Sequence, residues 1–253
     1  MSHHIVEARD LSYAYPDGTP ALRSVSCRIL HGESVGIVGA NGAGKSTLLL
    51  HFNGLLMPSA GEVRIGELPV TAATRAHIHR TVGFVFQDAD DQLFMPTVRD
   101  DVAFGPLNMG LSPDEVSERV QAALETVGAA HLAARAPYRL SGGEKRAVAI
   151  AGVLAMSPSI LVLDEPSAGL DPAARRRLIG LLRSFTHTKL IATHDLDLVL
   201  DVCGRVLVMH EGAVQADGAP EEIFRNAELL QRCHLEPPLS WQPRERWGQV
   251  FNL

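Results

Sequence analysis

Residues 35–46 read VGIVGANGAGKS, and this stretch decides the fold. Val35 to Val38 are apolar enough for a strand buried on both faces. The GANGAGKS that follows fits G-x-x-x-x-G-K-[ST], with a helix expected from about Gly44 to Asn53. Glycines at 42 and 44 let the backbone bend so that successive N–H groups face one anion, and the helix N-terminus adds the positive end of its dipole. Lys45 is placed to reach the β- and γ-phosphates of a nucleotide, and the Ser46 hydroxyl to hold Mg2+. Gly39, Asn41, Gly42, Ala43, Gly44, Lys45, Ser46 and Thr47 are the phosphate-binding candidates.

Two further strings belong with it. Residues 160–165 read ILVLDE, a buried strand with two carboxylates at its C-terminal end, where open α/β sheets place ligands. Asp164 fits a Mg2+ ligand, and Glu165, one position off the strand, fits a group that orients or deprotonates a water. Residues 140–144 read LSGGE. Ser141 and Glu144 have capping-box spacing, so a helix starts here and runs to about Ala155, with Gly142 and Gly143 leaving N-terminal amides open to an anion.

The rest of the chain sets bounds on these motifs. With 253 residues there is room for one large domain or a core plus a small subdomain. Lysine and arginine number 23 against 29 aspartate and glutamate, a net charge of −6, so no basic excess marks a nucleic-acid surface. Hydrophobic residues make up 46% and charged ones 21%, which argues against disorder. No apolar stretch is long enough to span a bilayer, and MSHHIVEARD lacks the apolar region of a signal peptide, so a cytosolic protein is expected. Cys27, Cys203 and Cys233 show no CxxC spacing and read as buried thiols.

The first ninety residues read as short strands: Ile29 to Leu30, Val35 to Val38, Val63 to Ile65 and Val82 to Phe86. One helix, after the phosphate loop, interrupts them. From Thr97 to about Met156 the pattern is helical, with a capping box and proline at Ser112 to Glu115 opening a helix to about Val127. Strands return at Ile160 to Leu163, Leu190 to Thr193 and Val206 to Met209, with a helix from Asp171 and Pro172 between the first two. From about Pro220 a helical tail leads into an irregular arm.

Together GANGAGKS, LSGGEKR and ILVLDEP resemble the nucleotide-binding subunit of ATP-binding cassette (ABC) proteins, over residues 5 to about 225. The resemblance implies an α/β fold: a P-loop NTPase with a RecA-like core, an ABC-type β subdomain and a helical insert subdomain. On that plan residues 1–92 carry the core and β subdomain, 93–156 the helical subdomain, 157–220 the rest of the core, and 221–253 the tail. Tyr15 lies where the family stacks an aromatic on adenine, with Tyr13 as a nearby rival. Gln87 matches the glutamine that joins the core to the insert and contacts the metal or the water. Ser167 to Asp171, SAGLD, matches the D-loop, and His194 matches the switch histidine at the γ-phosphate. The implied cofactors are ATP and Mg2+, the implied catalytic residues Glu165, His194 and Gln87. The nucleotide would contact Ser141, Gly142, Gly143, Glu144 and Asp171 besides the phosphate loop. Two copies would pair head to tail, each ATP lying between the phosphate loop of one and the Ser141 helix of the other.

Residues 88–111, DADDQLFMPTVRDDVAFGPLNMGL, with MHEGAVQADGAPEEIF at 209–224, narrow the resemblance to the energy-coupling-factor group of importers. There Asp90 and Asp91 would receive arginines from coupling helices of a small transmembrane subunit, beside a substrate-binding membrane subunit, at the cytoplasmic face of the membrane. Single-ATPase systems carrying cobalt or nickel look closest. Vitamin importers with two unlike ATPases, and a soluble regulatory or assembly factor that moves no solute, are the alternatives. The 11 histidines are not metal evidence: His77 and His79 diverge on a helix, and His3 and His4 sit near a chain end.

Overall fold

In the computed structural model, which describes residues 6–242, the apolar runs become parallel neighbours in one sheet. Strands β3 (Ser34–Val38), β6 (Val82–Val85), β7 (Ile160–Asp164), β8 (Thr188–Thr193) and β9 (Arg205–His210) join β10 (Ala213–Gly218) in the order β10-β9-β3-β8-β7-β6. Only β10 runs antiparallel, against β9. Residues within β7 and β8 are all buried, as expected of strands covered on both faces.

The register places the site. Val38 of β3 pairs with Thr193 of β8, and Asp164 of β7 pairs with Ala192. The phosphate-loop strand, the switch strand and the carboxylate strand thus end at one level, with β8 between the other two. Helix α1 (Lys45–Asn53) packs beneath, burying Leu48, Leu49 and Phe52.

A second, antiparallel sheet has the order β2-β1-β4-β5, from β1 (Val6–Ala14), β2 (Pro20–Ile29), β4 (Ala60–Ile65) and β5 (Leu68–Pro69). It shares one hydrophobic cluster with α1 and one face of the large sheet. A separate cluster lies among helices α3 (Val98–Asn108), α4 (Pro113–Thr126) and α5 (Gly142–Leu154). Helices α6 (Pro172–Ser184), α7 (Leu196–Val202), α8 (Pro220–Arg225) and α9 (Ala227–Arg232) cover the other face of the large sheet.

Three readings change. Strand β1 and most of β2 have no clean alternation in sequence because the pairing slips between Ala8 and Leu11, where Asp10 takes φ 47°. Helix α2 (Arg75–Thr81) is a second helix among the early strands. It buries only Ile78 and so carries no apolar stripe. Leu30 falls outside β2 and Phe86 outside β6. His3, His4 and the end of the arm lie outside the described residues.

Candidate active site

The phosphate loop turns from β3 into α1 through two glycines at positive φ, Gly42 at 80° and Gly44 at 98°. Gly44 caps α1 at φ 98° with no side chain on the first amides, so those N–H groups stay open to an anion. At Gly39 an added Cβ would stand 2.4 Å from the Met209 carbonyl of β9 and 2.9 Å from the Ala43 Cβ. Gly39→Ala should therefore lower stability by about 2 kcal/mol or more and weaken nucleotide binding with it. Gly180→Ala, inside α6 with open space for the methyl, should raise stability by up to about 1 kcal/mol. Thermal melts compare the two; equal melting temperatures would show that the loop yields without cost.

Lys45 is buried. Its Nζ donates to the carbonyls of Gly39 at 2.8 Å and Ala40 at 3.2 Å, and lies 3.9 Å from Glu165 Oε1. Burial pulls its ammonium pKa down, opposed by the charges of Glu165 and Asp164.

Asp164 provides the test for Mg2+. Its Oδ1 is buried without a hydrogen-bond partner, and burial pushes its carboxyl up, opposed by a hydrogen bond from Ser46 and, more weakly, by Lys45. A buried carboxylate oxygen with no donor, beside a serine hydroxyl, fits a hard divalent cation.

Glu165 takes φ 44°, a left-handed backbone at the end of β7 that its amide secures by donating to Ala192 O at 2.8 Å. Its Oε2 accepts from Thr193 Oγ1 at 3.1 Å and the His194 amide at 3.4 Å, and lies 2.8 Å from His194 Nδ1. Two predicted residues, 29 positions apart, thus touch directly.

Tyr15 is exposed (38%) and its hydroxyl meets Thr47 Oγ1 of α1 at 2.9 Å. Tyr13 turns inward, edge-on to His51. The geometry favours Tyr15 over its rival as the ring beside the loop. Gln87 is exposed at the start of the segment leading to the helices. It lines one cavity with Asp164, Asp91 and Arg146.

The signature string forms the expected cap. Ser141 Oγ accepts from the Glu144 amide at 3.4 Å, while Glu144 Oε2 accepts from the Ser141 amide at 2.7 Å and hydroxyl at 2.8 Å. Glu144 is thus turned back onto its own helix. Asp171 likewise caps α6, accepting from the amides of Ala173 and Ala174 at 2.8 Å. Both carboxyls are held below their usual pKa by these bonds. Gly142 and Gly143 remain without a capping side chain. Gly39, Ala40 and Asn41 rim a cavity of about 1090 Å3 that includes His194 and Ser167 to Gly169 but not Ser141, which lines a separate one of about 710 Å3.

Sequence reasoning missed what binds the 86–95 segment to α5 and to the first turn of α3. Buried Arg146 donates to the carbonyls of Phe86, at 2.6 Å, and Gln87. Gln92 donates to Ala149 O at 2.7 Å, and Asp101 Oδ1 accepts the amides of Phe94 and Met95 at 3.0 Å. Lys145 meets both oxygens of Asp90, at 2.6 and 2.9 Å. Asp90 is therefore already paired, whereas Asp91 has no ion pair among the described residues.

An uncapped phosphate loop, a buried carboxylate pair at a parallel strand end and an LSGGE helix with a capping box define an ATP-binding cassette ATPase. The ABC transporter profile matches residues 22–168, and the chain belongs to that family. It is 66% identical over 96% of its length, and 97% of the relative's, to a Geobacter sulfurreducens protein provisionally named as an ABC transporter ATP-binding protein. It is 52% identical over 92% of its length to the energy-coupling factor transporter ATP-binding protein EcfA of Methanothermobacter thermautotrophicus, covering 77% of that chain. Among solved structures, CbiO1 of Clostridium perfringens, described as part of the ABC transporter complex CbiONQ, is 40% identical over 99% of this chain and 100% of that one, with TM-score 0.80. A dimeric cassette in a post-hydrolysis state with ADP and phosphate is 29% identical over 85% of this chain and 98% of that one, with TM-score 0.77. The chain is thus an ATPase that uses ATP with Mg2+. Among the described residues no helix is long and apolar enough to cross a membrane.

Proposed function

We propose that this ATPase drives an energy-coupling-factor type importer, working as a head-to-tail pair on the cytoplasmic face of the membrane. The observation that carries it is an exposed apolar patch on the helical region, with a carboxylate three residues before it in sequence that has no ion pair among the described residues. Phe94 (64% exposed), Phe104 (44%) and Leu107 (56%) crowd the surface of the helical region, the two rings edge-on at 5.0 Å. Asp91 lies three residues before Phe94, within the 86–95 segment. An amphipathic helix with arginines on one side would satisfy both features. Its displacement would reach Gln87 through the Arg146 hydrogen bonds.

At the site, Tyr15 stacks on adenine. The amides of Gly42 to Thr47 and the Lys45 ammonium bind the phosphates. Ser46, Asp164 and Gln87 would hold Mg2+, which would offset negative charge on the phosphates when bound. Glu165 orients the attacking water and receives its proton, and His194 donates toward the γ-phosphate. Ser141 lines a different cavity from the one that Gly39 to Asn41 rim, and in this reading a second copy supplies it, with Gly142 and Gly143. The solute proposed is cobalt or nickel, on the resemblance to single-ATPase systems.

Phe94→Ser combined with Asp91→Arg should reduce the membrane-bound fraction at least about tenfold while ATP affinity stays unchanged. Co-purification from detergent-solubilised membranes reads the result and identifies the solute-binding subunit, a metal or a vitamin protein. Retention of the doubly changed chain on a membrane subunit would rule out this docking surface. A purely soluble set of partners would point to the regulatory-factor alternative.

A further inference from the structure

Asp195 follows His194 directly, and its acceptor positions are shared among three elements. Oδ1 accepts from the Leu198 amide of α7 at 2.9 Å and from Arg175 Nη2 at 3.2 Å. Oδ2 accepts from Arg175 Nε at 3.0 Å and from the Ser167 hydroxyl at 3.2 Å. Helix α6, the loop after β7 and the first turn of α7 therefore converge on one half-buried carboxylate. Burial works against its charge, yet Arg175 and the other donors hold its pKa below the ordinary aspartate value.

The chain of contacts continues toward Glu165. The Asp195 amide donates to Thr193 Oγ1 at 3.0 Å. A hydroxyl that accepts there has its own proton free for the Glu165 Oε2 at 3.1 Å. Thr193 is fully buried, so water does not compete for that proton. Arg175 is thus linked to Glu165 through Asp195 and Thr193 without a break, and Ser167 branches from the same carboxylate into the loop that rims the cavity with Gly39 to Asn41.

We propose that Arg175 is a positioning residue for ATP hydrolysis: its two-pronged ion pair with Asp195 fixes residues 193–195 so that Glu165 and His194 are aligned, and through Ser167 ties that alignment to the 167–171 loop. The guanidinium is required for its shape as well as its charge, since a lysine presents one point donor in place of two parallel ones. The inference rests on Glu165 and His194 acting at the γ-phosphate as proposed above.

Steady-state ATP hydrolysis by Arg175→Ala, Arg175→Lys, Asp195→Asn and the Arg175→Ala/Asp195→Asn pair tests it, each assayed well below its own melting temperature. Arg175→Ala should lower kcat about tenfold or more with KM for ATP within about twofold. Arg175→Lys should recover little, and the double variant should be no slower than the worse single one, because both substitutions break the same Arg175–Asp195 pair, the tighter of the two that Arg175 makes, Asp201 lying at 3.7 Å. Wild-type kcat in Arg175→Ala, a raised KM with kcat retained, or losses that multiply in the double variant would each overturn the proposal. If Arg175→Ala fails to fold, Arg175→Lys carries the test, and wild-type kcat there overturns it. Glu165→Gln in parallel separates the two levels. Turnover surviving in that variant removes the underlying reading, whereas Arg175 variants at wild-type kcat beside an inactive Glu165→Gln remove only this inference.

Discussion

Glu165→Gln is expected to keep ATP binding and lose turnover by about 100-fold or more, the scale of a lost general base. The substitution preserves shape at a position where shape matters. Glu165 sits at φ 44°, and its Oε2 accepts from Thr193 and the His194 amide, contacts that the glutamine carbonyl oxygen can also accept. What disappears is the negative charge and the capacity to take a proton. Removing that charge next to the phosphates also removes a repulsion, so ATP affinity should hold or rise. Hydrolysis measured beside equilibrium binding separates the two effects. Full turnover in the variant would exclude Glu165 as the base.

Lys45→Ala should weaken ATP binding about 100-fold and reduce hydrolysis to background. The Lys45 ammonium donates to the backbone carbonyls of Gly39 and Ala40, lies 3.9 Å from Glu165 Oε1, and stands at the open end of the uncapped helix α1. A charge-assisted hydrogen bond is worth about 1.5–3 kcal/mol, and losing one such bond to a phosphate oxygen, with its Coulomb attraction, accounts for a drop of that size. Lys45→Arg should not restore binding, because a planar fork does not fit a buried site shaped for a compact ammonium. Calorimetric titration with ATP gives the number. An unchanged Kd would place Lys45 outside the phosphate contacts and make it a brace of the loop carbonyls.

What could be read in the sequence was what the chain encodes locally. The phosphate loop, the Ser112 and Ser141 capping boxes and the Asp171 cap each lie within a few residues, and all form as the spacing demands. The carboxylates at 164 and 165 could be placed because a strand buried on both faces reads as a continuous apolar run. Strand β1 and helix α2 were hidden for opposite reasons: a bulge at Asp10 breaks the period of one, and a single buried residue gives the other no period at all. The links around the site were hidden by distance. Arg146 reaches back 60 residues to Phe86 and Lys145 reaches 55 to Asp90, while Arg175 reaches forward 20 to Asp195. No local pattern announces such pairs, and the Lys145 contact is why the docking proposal rests on Asp91 rather than on Asp90.

The central claim is that one chain holds two halves of different sites, a phosphate loop and a signature helix, that are completed by a second copy. Sedimentation velocity of the Glu165→Gln chain with ATP and Mg2+, with and without Ser141→Arg, tests it most directly. A dimer that forms only with ATP and disappears when Ser141→Arg is added, while ATP still binds the monomer, is the expected result. A chain that stays monomeric with ATP bound, or a dimer indifferent to Ser141→Arg, would contradict the shared site.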